Sequence, residues 1–261
     1  GEAAPDAIAQ PPQGGHPLPG APSCAPLPRP APDAPPGVEL HELRLAHRDS
    51  AAAHPGVSMS IAPGEHVALF GPSGCGKSSL LALVAGLMPA RSGRIEIGGA
   101  VLDEQSAAQL RQRMAWMGQR PHVFAGTVHA NVALADAQAS RGRIHAALRD
   151  AGLERVDRAH PAAAVGEGGL GLSGGEALRL ALARLALRAA HADLLLVDEP
   201  TAHLDSETAR EVGEALLALA QGKTLIVATH DPALAARMHR VIHLGAAPQP
   251  AHRTEAADAL A

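Results

Sequence analysis

Residues 71–78 have the composition and spacing of a phosphate-binding loop. They read Gly-Pro-Ser-Gly-Cys-Gly-Lys-Ser, the pattern G-x-x-x-x-G-K-S, and lie between apolar runs at residues 67–70 and 80–84. The glycines let successive backbone N–H groups point at phosphate oxygens at the start of the following helix. Lys77 can reach the β- and γ-phosphates, and the Ser78 hydroxyl can bind Mg²⁺. Between a strand and a helix, this pattern predicts a nucleoside triphosphate site rather than a plain glycine-rich turn.

Two adjacent carboxylates, Asp198 and Glu199, follow an apolar run at residues 194–197. In a P-loop protein, Asp198 is placed to interact with Mg²⁺, directly or through another ligand, and Glu199 to orient or deprotonate the attacking water. Ligands of open α/β sheets bind at the carboxyl ends of the strands, so both side chains are expected beside the phosphates. Without the P-loop, the same pair would indicate only an acidic turn.

The segment Leu-Ser-Gly-Gly-Glu at residues 172–176 precedes a helical run at residues 177–189. Ser173 can cap that helix, and Gly174 and Gly175 leave backbone N–H groups open to a ligand. Alone, the segment predicts a capped helix after a glycine turn. Its place between the P-loop and the carboxylate pair makes the segment a far more specific indicator of a functional motif.

The elements that would position these residues alternate between strands and helices. Apolar or alternating runs predict strands at residues 38–45, 57–61, 67–70, 94–97, 114–118, 193–197, 223–228 and 240–244. The alternation of the first suggests an edge strand, whereas residues 193–197 and 223–228 are apolar enough on both faces for buried strands. A helix is predicted over residues 206–220 with Ser206 as its cap, and two or three short helices within residues 127–153.

Composition divides the chain into three parts. Residues 1–36 are rich in Pro and Ala, which predicts a disordered linker, because Pro removes backbone donors and fixes φ. Residues 37–245 are expected to form the ordered domain, with a helical subdomain at about residues 120–190. Residues 246–261 are expected to form a disordered tail.

Composition also limits the function. A formal net charge of -4 over 261 residues and a pI near 6.4 argue against binding nucleic acid by bulk charge. Two cysteines, Cys24 and Cys75, make no disulfide framework, which fits a reducing, cytosolic compartment. No apolar run approaches the ~20 residues of a membrane span, and no signal peptide is visible. Because the chain starts with Gly1 and not with Met, the lack of a membrane span here says nothing about a parent polypeptide, which could carry a membrane domain elsewhere.

Taken in chain order, these motifs resemble the nucleotide-binding domain of an ABC transporter. The resemblance covers residues ~38 to ~244 and rests on residues 71–78, Gln119, residues 172–176, 194–199 and 202–205, and His230. It implies an α/β fold: a P-loop NTPase ABC ATPase core with a mostly parallel sheet flanked by helices, antiparallel edge strands and a helical subdomain. It also implies ATP and Mg²⁺ as cofactors.

The resemblance implies a role for each matching residue. Glu199 would be the catalytic base, His230 the switch histidine that holds the γ-phosphate, and Gln119 the Q-loop glutamine that senses Mg²⁺ and the γ-phosphate. The implied Mg²⁺-binding residues are Ser78, Gln119 and Asp198. The implied nucleotide contacts are His47, Gly71, Pro72, Ser73, Gly74, Cys75, Gly76, Lys77, Ser78, Ser79, Ser173, Gly174, Gly175, Glu176 and Asp205. Asp205 would belong to the D-loop, which lies across a dimer interface.

The implied partners are a second ABC nucleotide-binding domain, identical or different, and the transmembrane domain of an exporter. Nucleic acid is not among them. Two such domains would sandwich two ATP molecules, each held between one P-loop and the Ser-Gly-Gly of the other chain. ATP binding would close the dimer, and hydrolysis would reopen it and move the attached membrane helices.

Two further segments resemble exporters in particular. Residues 119–128, followed by Asn131 and Val132, resemble the exporter loop after the Q-loop glutamine, and residues 165–169 resemble the exporter X-loop, which contacts the coupling helices of the membrane domain. The motif details look most like the CydD/CydC family of thiol-reductant exporters, nearer to CydD. That resemblance implies cysteine or glutathione export across the bacterial inner membrane for cytochrome bd assembly, with this domain on the cytoplasmic face.

Two positions depart from the family pattern. An aromatic residue, commonly Tyr, usually stacks on the adenine ahead of the P-loop, whereas this chain has no Tyr and places His47 there. An imidazole offers less stacking area than a phenol ring, so we expect weaker or less selective adenine binding. The signature ends in Glu176 where Gln is commoner, a change that we expect to be tolerated.

Three other functions compete with this interpretation. An ATPase subunit serving a separate permease has the same fold, and the exporter X-loop argues against it. A chromosome-maintenance or DNA-repair ATPase needs a long heptad insertion, and residues 79–171 offer neither heptads nor a basic stripe. A non-hydrolysing regulatory module is disfavoured by the intact residues Lys77, Asp198, Glu199 and His230, although a heterodimer can carry one weak site.

Overall fold

The computed structural model describes residues 34–44, 56–153 and 165–245. In these ranges the strands are β1 (Val38–Arg44), β2 (Val57–Ile61), β3 (His66–Phe70), β4 (Ser92–Ile97), β5 (Ala100–Val101), β6 (Met114–Met117), β7 (Leu194–Asp198), β8 (Thr224–Thr229) and β9 (Arg240–His243). The α-helices there are α1 (Lys77–Val84), α2 (Ala107–Gln112), α3 (Val128–Ala133), α4 (Arg141–Asp150), α5 (Gly174–Ala189), α6 (Ser206–Leu219) and α7 (Pro232–Ala235). The predicted tail, most of the predicted linker and His47 lie outside the described residues.

Five strands form a parallel sheet in the order β6-β7-β8-β3-β9. Every residue of β7 and β8 is buried, as their apolar character on both faces predicts. β3 pairs with β8 on one side and with β9 on the other, and β7 also pairs with β8. The carboxyl ends of β3, β7 and β8 therefore lie side by side at one edge of the sheet.

The other four strands form an antiparallel sheet of their own, in the order β2-β1-β4-β5. The prediction that β1 is an edge strand is wrong, because β1 pairs with both β2 and β4. One face of this sheet packs on the core through Val38, Leu40 and Leu43, and the residues between them are exposed. An alternating sequence thus predicts that one face of a strand is buried and the other exposed. Antiparallel strands have this pattern whether or not they lie at the edge of a sheet.

Helix α1 is packed between the two sheets. One cluster of buried side chains joins Leu80 and Leu81 of α1 to Leu40 of β1, to Leu69 of β3 and to Ile226 of β8. Full burial of each such side chain contributes about 1.5–3 kcal/mol relative to exposure. The helix whose first turn carries Lys77 and Ser78 is therefore packed on both sides.

The opposite face of the parallel sheet is covered by α5 and α6, and α3 and α4 pack against α5. The helices α3 and α4 agree with the prediction of two or three short helices in this region. The longest helix in the described ranges, α5, has 16 residues. In that part of the chain, no helix combines the length and the apolar character that crossing a membrane requires.

Helices α5 and α6 begin with side-chain caps. Ser173 caps α5, as predicted. Helix α6, however, is capped by Asp205 and not by Ser206, because Asp205 Oδ1 accepts hydrogen bonds from the N–H groups of Glu207 at 3.1 Å and Thr208 at 3.0 Å. Asp and Ser are both good N-cap residues, so the sequence alone could not decide which of these two adjacent residues caps the helix.

Candidate functional site

Three sequence motifs meet at the carboxyl edge of the parallel sheet. The P-loop follows β3, Asp198 ends β7 with Glu199 directly after it, and His230 directly follows β8. Parallel pairing of β3 and β7 with β8 points these strand ends in one direction. The fold thus joins side chains that are distant in sequence, such as Ser78 and Asp198, which are 120 positions apart.

The P-loop backbone connects the end of β3 to the start of α1. Gly76 has a φ of +99° directly before the helix, a conformation that favours glycine. Gly71 packs so closely that a Cβ on it would lie 2.4 Å from the carbonyl oxygen of Leu244. The tip at residues 72–74 is exposed, and Cys75 behind it is half-buried. The N–H groups at the start of α1 are therefore oriented for binding an anion.

The Lys77 side chain is buried at the centre of this loop. Its Nζ donates to the carbonyl oxygens of Gly71 at 2.7 Å and Pro72 at 3.2 Å, and lies 3.3 Å from Glu199 Oε1. A buried ammonium needs such partners, because losing its hydration without them costs free energy. Phosphate oxygens bind an ammonium more strongly than neutral carbonyls do, so the same Nζ is suited to a phosphate.

Glu199 connects Lys77 to His230. The Glu199 carboxylate is buried, and its Oε2 lies 2.8 Å from His230 Nδ1 and accepts a hydrogen bond from the His230 N–H at 3.3 Å. The Glu199 φ of +49° is left-handed, and its N–H donates to the Ala228 carbonyl at 2.8 Å, which holds it there. Such backbone strain is typical of functional sites. A carboxylate held in this way can take a proton from a nearby water.

Asp198 is buried at the end of β7, where its Oδ1 accepts a hydrogen bond from Ser78 Oγ at 3.0 Å. Burial raises the pKa of the Asp198 carboxyl, the bond from Ser78 opposes that shift, and the neighbouring charge of Glu199 adds to it. A hydroxyl and a carboxylate are hard oxygen ligands of the kind that Mg²⁺ prefers. The donor set therefore fits that ion.

Replacing Asp198 by Asn is expected to stabilise the nucleotide-free protein while weakening Mg²⁺-dependent nucleotide binding. The folded-state pKa of Asp198 lies above its ordinary value of 3.8, so ionisation opposes folding. That cost is absent below pH 3.8 and complete above the folded-state pKa. We expect the melting temperature of Asp198→Asn to exceed that of the wild type at pH 7, with the gap closing as the pH falls. Thermal unfolding at several pH values checks this, and an Asn variant that melts below the wild type at pH 7 would contradict it.

Residues 173–176 form a capping box at the start of α5. Ser173 Oγ accepts from the Glu176 N–H at 3.2 Å, and Glu176 Oε2 accepts from the Ser173 N–H at 2.7 Å. The side-chain oxygen of a glutamine could also accept the second bond, although more weakly than a carboxylate, which supports a tolerated exchange at this position. Gly174 is exposed, and a Cβ on it would meet nothing within 4 Å. Among the described residues, no hydrogen bond or ion pair joins this segment to the P-loop.

Gly175 places this segment beside the start of α6. A Cβ on Gly175 would lie 3.7 Å from the side chains of Leu204 and Thr208. The intervening Asp205 is exposed, and a hydrogen bond from the Thr208 N–H lowers the pKa of its carboxyl. Ser173 and Asp205 are both exposed, and the contacts expected at Gly175 place the two segments side by side.

Gln119 is the remaining predicted site residue on a strand end. It lies two residues beyond β6 and is exposed. Because β6 pairs with β7, Gln119 leaves the sheet beside the strand that carries Asp198. Ser79 is half-buried in the first turn of α1.

Two polar residues at this edge were missed by the sequence predictions. Thr201 is buried, and its Oγ1 donates to Asp231 Oδ2 at 3.0 Å. They lie beside Glu199 and His230 in the chain, but the sequence motifs predict no role for either. Their positions next to the motif residues Glu199 and His230 are the one sequence signal that could have indicated a role for them.

The loop after β6 carries an exposed aromatic side chain, Phe124. The buried Asn131 accepts from the Phe124 N–H at 3.0 Å and donates to its carbonyl at 2.9 Å. Arg184 of α5 donates to the Asn131 carbonyl at 2.8 Å, and its guanidinium carbon lies 5.9 Å from the centre of the Phe124 ring. Gly126 and Val165 exchange backbone hydrogen bonds of 2.9 and 2.6 Å. The two exporter-type segments are thus joined.

Comparisons with known families and proteins agree with this site. The sequence model of the family described as ABC transporter matches residues 55–202. A second model, described as an AAA domain and putative AbiEii toxin of a type IV TA system, matches residues 175–236.

Curated relatives align over most of the chain. An ATP-dependent lipid A-core flippase of Burkholderia pseudomallei is 40% identical over 200 residues, which are 76% of this chain and 33% of that protein. The glutathione/L-cysteine transport system ATP-binding/permease protein CydD of Haemophilus influenzae is 40% identical over 187 residues, 71% of this chain and 31% of CydD. The mycobactin import ATP-binding/permease protein IrtB of Mycolicibacterium thermoresistibile is 36% identical over 216 residues, 82% of this chain and 37% of IrtB. The chain spans about a third of the length of these relatives.

A solved structure supports the same assignment. A bacterial Atm1-family ABC exporter with ATP bound superposes with a TM-score of 0.72 at 30% sequence identity, over 82% of this chain and 39% of that one. The fold, the order of the motifs and the family match therefore agree. The chain belongs to the ABC transporter family and is an ATP-binding domain of the exporter type.

Proposed function

We propose that this chain binds ATP with Mg²⁺, hydrolyses it to ADP and phosphate, and thereby powers an ABC exporter. The observation that carries the proposal is one cluster of three side chains at the carboxyl edge of the sheet. Glu199 Oε1 lies 3.3 Å from the P-loop ammonium of Lys77, and Glu199 Oε2 lies 2.8 Å from His230 Nδ1. A phosphate-binding cation, a carboxylate base and an imidazole within this distance can together serve phosphoryl transfer to water.

In this proposal, each residue has a separate role. Lys77 balances the charge of the β- and γ-phosphates, and Glu199 orients the attacking water and takes its proton. His230, whose side chain is 59% exposed, reaches the γ-phosphate from β8. Gln119 lies beside the strand of Asp198, where it can sense the metal and the γ-phosphate.

We assign the Mg²⁺ site to Ser78 and Asp198, with Gln119 nearby. The Ser78 hydroxyl and the Asp198 carboxylate are already 3.0 Å apart. When bound, the ion supplies positive charge to the phosphate oxygens. Asp198 has to be ionised to bind it, although burial raises its pKa, so the cation and the ionised carboxylate favour each other.

A second nucleotide-binding domain is proposed to complete each ATP site. Ser173, Gly174 and Gly175 make no polar contact with the P-loop in the described part of their own chain, and they lie on an exposed surface with Asp205. The open N–H groups and the helix N-terminus there suit a phosphate held by another copy or a related chain. The partner domain would be identical or different.

The membrane domain of an exporter is the second proposed partner. Phe124, on the first exporter-type segment, is 47% exposed, and Leu170, directly after the second, is 75% exposed. Such apolar side chains suit contacts with coupling helices. The domain itself would comprise residues 37–245, with its helical subdomain at about residues 120–190. It would act at the cytoplasmic face of the bacterial inner membrane.

We propose cysteine or glutathione as the exported solute, serving cytochrome bd assembly. Support comes from the motif details and from the 40% identity to the CydD relative, whose name states glutathione and L-cysteine transport. The lipid A-core flippase has the same 40% identity, so solute assignment rests on the motifs and not on overall similarity. An ATPase subunit serving a separate permease is the alternative, and a parent reading frame without apolar spans would favour it.

The solute proposal is tested with inverted membrane vesicles that contain the complete transporter. ATP-dependent uptake of labelled cysteine or glutathione, absent in the Glu199→Gln variant, is expected. Vesicles that hydrolyse ATP and move neither thiol would refute the solute and leave the ATPase proposal standing. Vesicles without ATP hydrolysis above the Glu199→Gln background would refute the ATPase proposal itself.

The adenine contact gives a separate prediction. If His47 occupies the stacking position, His47→Tyr is expected to tighten ATP binding about twofold to twelvefold, because a larger aromatic face adds about 0.5–1.5 kcal/mol. Titration of the nucleotide-free chain with ATP measures this. An unchanged affinity would contradict the expectation that His47 weakens adenine binding.

A further inference from the structure

A side-chain hydrogen bond joins the turn after β7 to the segment after β8. Thr201 Oγ1 donates to Asp231 Oδ2 at 3.0 Å, and Thr201 is only 7% exposed. Thr201 lies two residues after Glu199, and Asp231 directly follows His230. The bond therefore runs beside the contact of 2.8 Å between Glu199 and His230 and connects the same two segments.

Asp231 is held in place by other bonds. Its Oδ1 accepts from the N–H groups of Ala233 at 2.9 Å and Leu234 at 3.4 Å, which caps α7, and its own N–H donates to Thr229 Oγ1 at 3.0 Å. Each carboxylate oxygen thus has its own partner. The orientation of Oδ2 toward Thr201 follows from the helix cap, independently of Glu199.

On the other side of the bond, the turn after Glu199 is also internally bonded. The N–H of Ala202 donates to the Glu199 carbonyl at 3.2 Å, and the N–H of Leu204 to the Thr201 carbonyl at 3.4 Å. Glu199 occupies a left-handed conformation that a non-glycine residue keeps only when its surroundings hold it. Fixing Thr201 therefore fixes both the carboxylate before it and the D-loop after it.

We propose that Thr201 and Asp231 are positioning residues for hydrolysis, a role that rests on the proposed ATPase function. Their bond sets the Glu199 turn against the His230 segment, so that the carboxylate and imidazole keep their distance while the D-loop keeps its direction toward the partner domain. Neither side chain hydrogen-bonds to the P-loop in the described ranges, so we expect ATP affinity not to depend on the bond. Loss of the bond lowers the rate of ATP hydrolysis and leaves the affinity for ATP unchanged.

The first test separates turnover from binding in the full chain. Thr201→Val keeps the branched shape and removes the hydroxyl donor, and we expect about a tenfold loss of kcat, because small displacements of catalytic groups are costly. The ATP dissociation constant should stay within about twofold of the wild-type value. Thr201→Ser keeps the donor and should recover most of the kcat. A valine variant with wild-type kcat, or a serine variant no better than valine, would overturn the proposal.

Thr224→Val is the matched control at the far end of β8. Thr224 is also buried, and its hydroxyl donates to the Pro36 carbonyl at 2.7 Å and accepts from the Gly64 N–H at 2.9 Å. It should lower the melting temperature and leave kcat unchanged. If both valine variants lost kcat in proportion to their loss of melting temperature, the Thr201 bond would be merely structural and the proposal would fail.

Hydrogen exchange provides a readout that needs no ATP turnover. In the nucleotide-free chain, Thr201→Val should raise exchange both in residues 199–205 and in residues 229–232, whereas Thr201→Ser should not. Faster exchange confined to residues 199–205 would show that the bond does not couple the segments. If the wild type hydrolyses ATP no faster than Glu199→Gln, the ATPase proposal fails for the isolated chain, and the exchange pattern still decides whether Thr201 and Asp231 position these segments.

Discussion

Glu199→Gln is expected to lower the ATP hydrolysis rate by about 10²–10⁴-fold, the range for removal of a general base. The amide keeps the size of the side chain and can still accept a bond from His230, whose Nδ1 lies 2.8 Å from Glu199 Oε2. It cannot take a proton from water. ATP affinity should be retained or increase, because the change removes a negative charge 3.3 Å from the Lys77 ammonium. Phosphate release at saturating ATP and an equilibrium titration measure the two effects.

The matched control for this variant is Glu65→Gln. Glu65 precedes β3 at the opposite edge of the sheet and bonds to Arg240 Nε at 2.7 Å, so it is also a paired carboxylate. Its replacement should leave the hydrolysis rate near the wild-type value. Substantial hydrolysis by the Glu199→Gln variant would remove Glu199 from the role of base.

Lys77→Met is expected to weaken ATP binding by about 10–100-fold. The methionine fills a similar volume but cannot bind a phosphate, and a hydrogen bond to a charged group contributes about 1.5–3 kcal/mol. The variant also leaves the buried Glu199 without its cation, so a lower melting temperature should accompany the loss. Titration with ATP, beside a melting curve of the nucleotide-free protein, separates the two consequences.

Lys223→Met is the corresponding control. Lys223 likewise donates to a main-chain carbonyl, that of Ala192 at 2.8 Å, but it lies just before β8 at the opposite edge. ATP affinity should not change in this variant. Equal affinities for the wild type and Lys77→Met would contradict the phosphate site assigned to the P-loop.

Much of the site could be predicted because its chemistry is encoded in short, contiguous segments. The P-loop, the Asp-Glu pair at the end of β7 and the histidine after β8 each follow a strongly apolar run, and parallel pairing brings such strand ends together. The contacts of Ser78 with Asp198 and of Glu199 with His230 follow from that topology. The N-terminal cap at Ser173 could likewise be predicted, because the residues that form it are close together in sequence.

The wrong and missing predictions concern features that depend on residues close in space but distant in sequence. The alternation of β1 reports which face is buried, but its second partner, β4, cannot be read from β1 itself. The cap of α6 fell on Asp205 because backbone geometry chose between adjacent candidates. The bond between Thr201 and Asp231 depends on two turns meeting, and neither residue has a pattern of its own. Short elements such as α2 and β5 carry too few residues for a periodic signal.

The central claim is that a complete ATPase site needs the P-loop of one chain and residues 173–175 of another. The measurement that tests it most directly is the hydrolysis rate per chain as a function of chain concentration, with Glu199→Gln as the blank. The account predicts a rate per chain that climbs with concentration as dimers form. A rate at the blank with ATP still bound would assign the missing half to a different subunit, as a heterodimeric exporter requires. A rate well above the blank that is independent of concentration, in a chain that stays monomeric, would contradict the account.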